Sequence, residues 1–185
     1  VDHVDEIKHN IIREALKIVG IESGIEIFYS ADIPLSGAGI GLASSSALAV
    51  GVLHALYAYR GKHVSPEFLA RQACKIEIEK LGQQIGIQDQ YAVAYGGFNR
   101  YRFNRDGSVT VMPVICGKDV LETLQGNLML FYTGLTRNSF NILNEQTQTI
   151  NDKMDMLDGL VETVDRAYGY LTNNKLDNWG VELDN

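Results

Sequence analysis

A glycine-rich stretch from residue 32 to residue 47 constrains this chain more than any other part of its sequence. It follows an alternating segment, residues 24–30, that is typical of a β-strand. It precedes an apolar run, residues 48–59, that is typical of a buried helix. Glycines at alternate positions let the backbone approach a ligand closely and take positive φ angles; they are Gly37, Gly39 and Gly41. We therefore expect a strand, a ligand-binding loop and a helix, in that order.

Three consecutive serines, residues 44–46, stand where this helix should begin. The backbone amides in the first turn of a helix have no intrahelical partner and lie at the positive end of the helix dipole. Together with the glycine loop, these amides and hydroxyls predict a phosphate-binding site. The ordinary alternative is a tight connection with a serine N-cap, which the residues alone leave open.

Better-known motifs that use a glycine-rich loop are absent from this stretch. A P-loop needs a lysine after its last glycine, and no lysine lies between Lys17 and Lys62. The glycine spacing satisfies neither the dinucleotide fingerprint nor the Gly-x-Ser-x-Gly nucleophile elbow. If the loop binds phosphate, it does so without any of these motifs.

The stretch resembles the second conserved motif of the GHMP kinases, the superfamily of galactokinase, homoserine kinase, mevalonate kinase and phosphomevalonate kinase. In that family, Pro-x-x-x-Gly-Leu-Gly-Ser-Ser-Ala closes over the triphosphate of ATP. Pro34 and residues 41–47, Gly-Leu-Ala-Ser-Ser-Ser-Ala, match the motif, although Ala43 replaces its last glycine and the spacing after Pro34 is longer. The resemblance implies that ATP contacts the following residues: Gly37, Gly39, Gly41, Leu42, Ala43, Ser44, Ser45 and Ser46.

A second group of motif residues lies between positions 77 and 97. Glu77 lies twelve residues before Asp89, and residues 86–90, Gly-Ile-Gln-Asp-Gln, resemble the Gly-x-x-Asp-Gln motif of galactokinase-like members. In those proteins a metal-binding glutamate precedes the catalytic aspartate at the same interval. Residues 88–97 and 131–137 look closer still to the bacterial branch of D-glycero-D-manno-heptose 7-phosphate kinases.

The resemblance implies a role for each of these residues. Asp89 would accept or orient the proton of a sugar hydroxyl, and Ser45 and Glu77 would hold Mg²⁺, which prefers oxygen ligands. Contacts to the substrate would come from Gln88, Asp89, Gly97, Thr136 and Arg137. From the residues alone, Asp89 could equally cap helix amides, Glu77 could be a solvated carboxylate, and Arg137 could be an ordinary surface arginine.

Composition limits the class of protein but does not identify it. The chain of 185 residues has 16 basic and 23 acidic side chains and a net charge of −7, which argues against a general nucleic-acid surface. The sequence predicts no membrane span and no export signal. Its two cysteines, Cys74 and Cys116, form no metal-binding spacing and no disulfide framework, so we expect a cytoplasmic protein.

Periodicity and turn signals predict the remaining elements. Residues 1–19 have an amphipathic helical pattern, and Ser65-Pro66-Glu67 predicts the start of a helix that runs to about Leu81. Residues 98–103 and 109–114 should form a hairpin around an Asp-Gly turn. A helix is expected at 118–124, a buried strand at 128–132 and helices between 139 and 171, and His54 is expected in the core.

The resemblance also implies the fold. It is the α+β, two-domain GHMP kinase fold, with an N-terminal domain of the ribosomal protein S5 domain 2-like type and a ferredoxin-like C-terminal domain. We expect residues 1–126 to form the ATP-binding domain without its first strands and residues 127–185 to begin a truncated C-terminal domain. The chain is thus expected to be part of a longer kinase.

The expected function is transfer of the γ-phosphate of ATP, with Mg²⁺, to a sugar hydroxyl. The anomeric hydroxyl of D-glycero-D-manno-heptose 7-phosphate is the expected acceptor. Three alternatives stay open: another acceptor of the family such as fucose, galactose or mevalonate, a non-catalytic sugar and ATP sensor, and an interaction module. The expected partner is a sugar or sugar phosphate, without nucleic acid or membrane, and homo-oligomer formation is compatible with the sequence.

Overall fold

The computed structural model describes residues 3–30, 41–131 and 154–184. These residues fall into two compact units, one of residues 3–30 and 41–96 and the other of residues 97–131 and 154–184. The predicted site residues Gly37, Gly39, Thr136 and Arg137 lie outside the described residues. The domain boundary expected near residue 126 stays a prediction.

The first unit consists of helices. A 3₁₀ turn (Val4–Glu6) is followed by α1 (Asn10–Val19), α2 (Ser44–Tyr59), α3 (Pro66–Cys74), a π-helical segment (Lys75–Lys80) that continues α3, and α4 (Gln88–Tyr95). The predicted start of α3 is confirmed, because Ser65 is its N-cap, with Oγ accepting from the Phe68 amide at 3.2 Å, and Pro66 is its first residue.

Helix α2 lies at the centre of this unit. It packs against α1, α3 and α4, and α3 also packs against α4. Because α2 meets neighbours on several sides, its sequence is apolar around most of its circumference. Its buried apolar residues are Ala49, Val50, Val52, Leu53, Leu56 and Tyr57.

The expectation that His54 lies in the core is wrong. The exposed residues of α2 include Gly51, His54, Ala55 and Ala58. These positions follow the spacing i, i+3, i+4 and i+7, which defines one face of a helix. His54 is therefore exposed because it lies on the face of α2 that points away from the neighbouring helices.

The strand predicted at residues 24–30 is not formed. The alternation of the sequence is present, since Ile25 and Ile27 are half-buried against the core whereas Phe28 is 91% exposed. A strand also needs a partner for its backbone hydrogen bonds, and none of the described strands lies beside this segment. Residues 25–30 and one side of α2 instead line an apolar groove of about 630 Å³.

The second unit contains the predicted hairpin. Strands β1 (Asn99–Phe103) and β2 (Val109–Pro113) are antiparallel, with Tyr101 opposite Val111. Gly107 in the connecting turn has φ +80°, a conformation that glycine adopts without strain. The unit continues with α5 (Lys118–Asn127), α6 (Met154–Thr172) and α7 (Leu176–Asp184).

The buried strand predicted at residues 128–132 is wrong for the residues that the structure describes. Residues 128–131 form no ladder, and their side chains are exposed. An apolar run specifies a buried strand only where a neighbouring strand and a covering layer exist, and no strand of the described part pairs with it. None of the described helices is long and apolar enough to cross a bilayer.

Candidate active site

The most unusual buried group in the first unit is the carboxylate of Glu77. Glu77 is 0% exposed and lies in the π-helical segment that continues α3. The wide turn is evident from the Leu81 amide, which donates to the Ile76 carbonyl at 3.0 Å, five residues earlier. π-Helical turns are rare and occur frequently at functional sites.

Glu77 receives hydrogen bonds from three side chains. Ser45 Oγ donates to Oε1 at 2.5 Å, Ser46 Oγ donates to Oε2 at 2.8 Å, and Gln90 Nε2 donates to Oε2 at 2.6 Å. No lysine, arginine or histidine of the described residues forms an ion pair with it. Burying a carboxylate is unfavourable unless it is paired or hydrogen-bonded, and here three side-chain donors offset that cost.

The consecutive serines have different surroundings. Ser46 is 2% exposed and faces the interior, whereas Ser45 is exposed although its hydroxyl also reaches Glu77. Ser45 therefore connects the buried carboxylate with the surface. Ser44, the first residue of α2, is half-buried.

The N-cap residue of α2 makes no side-chain hydrogen bond to the first-turn amides of this helix. The N-cap is Ala43, so the serine N-cap alternative is wrong for this helix, and an alanine supplies no side-chain oxygen to cap the amides. Ala43 has φ +53° and ψ +27°, a left-handed conformation that favours glycine. This is the position at which the GHMP motif has glycine, and the exposed Gly41 just before it has φ +77°.

Asp89 lies in the first turn of α4, beside Gln88, which is the first residue of that helix. Both side chains are exposed. The carboxylate of Asp89 has no hydrogen bond or ion pair within the described part of the chain, so the capping role considered for it is not observed there. A carboxylate in this position is available to a ligand.

Helix α4 is also fixed to α3 through Glu67. Tyr91 Oη and Tyr95 Oη donate to this carboxylate at 2.9 and 3.2 Å, and Arg71 Nε donates at 2.6 Å. Burial would raise the pKa of Glu67, but the hydrogen bonds from Arg71, Tyr91 and Tyr95 outweigh it and lower that pKa. Burial, followed by the contact with Glu67, raises the pKa of Tyr91 to about 12.

The donor atoms at the start of α2 fit Mg²⁺ in their chemistry. Mg²⁺ takes hard oxygen ligands, often one or two from the protein with phosphates and water completing the shell, and Ser45 and Glu77 offer a hydroxyl and a carboxylate in contact. No group of three His, Cys, Asp or Glu side chains among the described residues could hold a metal ion by itself. The arrangement suits a metal that a phosphate ligand also coordinates.

The structure thus brings together part of the predicted site. Ser45, Ser46 and Glu77 are in contact, and Gly41, Leu42, Ala43 and Ser44 precede or begin the same helix. Gly97 is exposed with φ +70° and belongs to the second unit. The roles of all these residues, and of Gly37, Gly39, Thr136 and Arg137 outside the described ranges, stay predictions.

Gln90 was not among the site residues predicted from the sequence. Its side chain is 0% exposed and contacts Glu77 directly. Its position after Asp89 in the Gly-x-x-Asp-Gln motif was the available signal. Nothing in that motif indicates which way the amide points, because this depends on the packing of α4 against α2 and α3.

Residues 7–97 match the family model described as the GHMP kinases N terminal domain. A D-glycero-alpha-D-manno-heptose 7-phosphate kinase from Campylobacter jejuni is 33% identical over 125 residues, which are 68% of this chain and 36% of the relative. A galactokinase from Pyrococcus furiosus is 31% identical over 137 residues, which are 74% of this chain and 35% of that protein. The chain therefore spans about a third of the length of these relatives.

One solved structure shows the same fold. A D-glycero-D-manno-heptose 1-phosphate kinase from Bacteriodes thetaiotaomicron superposes with a TM-score of 0.76 at 23% identity. The match covers 96% of this chain and 54% of that one. The mixed helix and strand architecture of the described residues is thus that of part of a larger kinase fold.

Proposed function

The chain belongs to the GHMP kinase family through its N-terminal domain, and from this premise we propose that the protein is an ATP-dependent kinase of a small sugar or sugar phosphate. The observation that carries the proposal is the contact between Ser45 and Glu77. These residues are 32 positions apart, and their oxygens lie 2.5 Å apart at the start of α2. Hydroxyl and carboxylate oxygens in contact would suit a divalent metal, which would neutralise charge on the phosphates of ATP.

In the proposed mechanism the uncapped amides at the start of α2 hold phosphate oxygens. They lie at the positive end of the helix dipole, and the left-handed turn at Ala43 directs the chain into the helix. Gly41, and by the resemblance Gly37 and Gly39, leave room for the backbone to approach the triphosphate. Ser45 and Glu77 would hold Mg²⁺, which neutralises charge on the phosphate oxygens when bound.

Asp89 is the proposed general base. Its exposed carboxylate at the start of α4 would take the proton of the acceptor hydroxyl. The acceptor oxygen then forms its bond to the γ-phosphorus while the bond from that phosphorus to the bridging oxygen of ADP breaks. A positioned general base contributes about 10²- to 10⁴-fold to such a reaction.

The proposed acceptor is the anomeric hydroxyl of D-glycero-D-manno-heptose 7-phosphate. The proposal is supported by the identity of 33% with a kinase named for that substrate and by the sequence motifs of residues 88–97 and 131–137. Gln88, Gly97, Thr136 and Arg137 are the proposed substrate contacts. Arg137 would read the sugar phosphate, since a guanidinium binds phosphate oxygens in pairs.

ADP release tests both the reaction class and the acceptor. Protein expressed from the complete reading frame is assayed with ATP and Mg²⁺ on a panel of heptose and hexose phosphates, free fucose and galactose, and mevalonate. We expect turnover on a heptose phosphate and a loss of at least about 10²-fold in Asp89→Asn. Turnover on a different acceptor alone would reassign the substrate, and ATP binding without any turnover would favour a sensor.

A further inference from the structure

The amide of Gln90 contacts one carboxylate of the proposed site, and Gln90 follows the residue that carries the other. It is 0% exposed, follows Asp89 directly in α4, and donates to Glu77 Oε2 at 2.6 Å. The amide presents its NH₂ nitrogen to Glu77, and the carboxyl oxygen accepts the hydrogen bond. One hydrogen bond therefore joins the proposed metal ligand to the residue next to the proposed base.

The other end of the same amide has no partner. Gln90 Oε1 is buried and accepts no hydrogen bond from the residues that the structure describes. An unpaired buried acceptor is unfavourable. An apolar side chain of similar size would fill the position and leave no unpaired acceptor. Such a side chain would, however, lose the hydrogen bond to the buried Glu77 carboxylate, so the need for a donor towards Glu77 accounts for a glutamine here.

We propose that Gln90 is a positioning residue of the phosphoryl transfer, which sets the place of Asp89 relative to Glu77 through its hydrogen bond to the Glu77 carboxylate. This proposal rests on the proposed function. In-line transfer requires the acceptor oxygen and the metal-bound phosphate to be held in one geometry, and a displacement of about 1 Å can cost about 10²-fold in rate. Glu77 lies on the segment that continues α3, and Asp89 on α4, so the two groups stand on separate helices.

The hydrogen bonds to Glu67 do not hold the first turn of α4, so the position of that turn depends on Gln90. Tyr91 and Tyr95 fix the middle and the end of α4 to α3 through Glu67. The first turn, which carries Asp89, is joined to the Glu77 carboxylate by Gln90. Without that bond α4 would remain folded, while its first turn would lose its polar connection to the metal-binding carboxylate.

The first test is Gln90→Met in the full-length protein, with Gln84→Met as the matched control at an exposed glutamine. We expect kcat to fall about 10-fold or more, with KM for ATP changed less than about 3-fold. The urea midpoint should fall only by the amount expected for loss of one hydrogen bond to a buried carboxylate. The control should keep the wild-type values. A Gln90→Met variant that keeps at least half of the wild-type kcat, or that loses activity only in proportion to its unfolded fraction, overturns the proposal.

The second test is Gln90→Glu, which places a second carboxyl group against Glu77. Two carboxyl groups at hydrogen-bond distance share one proton, so the second of the two deprotonation steps of the pair moves to higher pH. At low pH the introduced acid can still donate to Glu77, and at high pH the two charges repel each other. We expect the high-pH limb of kcat, and the increase in melting temperature on adding Mg²⁺ and ATP, to move about one unit or more to lower pH.

The outcomes distinguish this inference from the function on which it rests. A wild-type protein with neither turnover nor a shift of melting temperature with Mg²⁺ and ATP overturns the proposed function, and this assignment with it. An active wild type whose Gln90→Glu variant has an unchanged pH profile overturns the positioning role alone. The positioning role is supported if Gln90→Glu regains activity at low pH and if Gln90→Met is folded but inactive.

Discussion

Ser45 Oγ donates a 2.5 Å hydrogen bond to Glu77 Oε1, while the next residue, Ser46, donates to Oε2 of the same carboxylate at 2.8 Å. The first hydroxyl belongs to an exposed residue and the second to a residue that is 2% exposed. Consecutive serines on one carboxylate therefore differ in access to solvent. We expect them to differ in function for the same reason.

Ser45→Ala should weaken metal binding with little effect on folding. Because Ser45 is exposed, water can take the place of its hydroxyl beside Glu77 Oε1, so the free energy of unfolding should change by less than about 1 kcal/mol. The Mg²⁺ concentration for half-maximal activity should rise about 10-fold or more, as for loss of a metal contact. Titration with Mg²⁺ at saturating ATP, together with urea unfolding, measures both quantities.

Ser46→Ala serves as the control. We expect it to affect stability more, and the Mg²⁺ requirement less, than Ser45→Ala does. Removing a hydrogen bond from a buried carboxylate should cost about 1.5–3 kcal/mol of stability, while the Mg²⁺ requirement of the folded protein should change less than in Ser45→Ala. If the two substitutions have equal effects on both measurements, Ser45 and Ser46 do not have separate roles in metal binding and in stability.

The backbone at Ala43 predicts a stabilising substitution. Its left-handed φ of +53° is unfavourable for any residue with a Cβ by about 1–2 kcal/mol. Ala43→Gly removes this strain but gives the unfolded chain more freedom, so the net gain should be about 0.5–1 kcal/mol. Thermal or urea unfolding measures the gain.

The same substitution elsewhere in α2 should have the opposite effect. Ala58 is exposed within the helix, where glycine costs about 1 kcal/mol relative to alanine. Ala58→Gly should therefore destabilise the protein. If Ala43→Gly destabilises it to a similar extent, Ala43 does not hold the left-handed conformation in solution.

How much of the site could be predicted depends on how local each feature is. The start of α2 and the contact between Ser45 and Glu77 agree with motif residues that can be read from the sequence. The direction of the Gln90 amide could not be predicted, since it depends on how α4 packs against α2 and α3. The π-helical turn at Glu77 carries no local signal of the kind that Ser65 and Pro66 provide for the start of α3.

The fold expectations failed for a related physical reason. Residues 25–30 and 128–131 have the composition of strands, but a strand depends on a hydrogen-bonding neighbour that composition does not reveal. The hairpin of β1 and β2 was predictable because its turn and its partner strand lie within a few residues of each other. Local sequence signals therefore predict an element whose hydrogen-bonding partners lie close together in the sequence, as in this hairpin.

The half-buried thiol of Cys74 should react slowly in the native protein. Burial, together with the nearby Glu77 carboxylate, raises the pKa of Cys74 to about 11 from its ordinary 9.0. Because the thiolate is the reactive form, a rise of about two units should slow labelling about 100-fold at pH 8. In a Cys116→Ser background, a disulfide reagent should label the native protein slowly and the urea-unfolded protein at the ordinary rate.

The charge of Glu77 can be separated from burial in the same experiment. Glu77→Gln removes the negative charge, so the pKa of Cys74 should fall and native labelling should become faster than in the parent variant. An unchanged native rate in Glu77→Gln would assign the slow reaction to burial alone. Fast labelling of the parent variant would contradict the raised pKa itself.

The hydroxyl of Tyr91 should make stability depend on pH in the alkaline range. Burial and the hydrogen bond to Glu67 raise its pKa to about 12 from an ordinary value of 10.0. A pKa that is higher in the folded state than in the unfolded state contributes stability that is complete below pH 10 and is lost as the pH rises through 12. Near neutral pH, Tyr91→Phe should be less stable than wild type by about 1 kcal/mol, the usual value of one such hydrogen bond.

The quantity to follow is the difference in the free energy of unfolding between wild type and Tyr91→Phe. It should stay constant up to about pH 10 and decrease between pH 10 and 12, as the wild-type protein loses the contribution of the neutral phenol. Urea midpoints at intervals of pH measure it, and the absorbance of ionised tyrosine near 295 nm reports the titration directly. A difference that stays constant through pH 12 would mean that Tyr91 does not titrate in the native state, and that its hydroxyl bond to Glu67 carries none of the alkaline sensitivity.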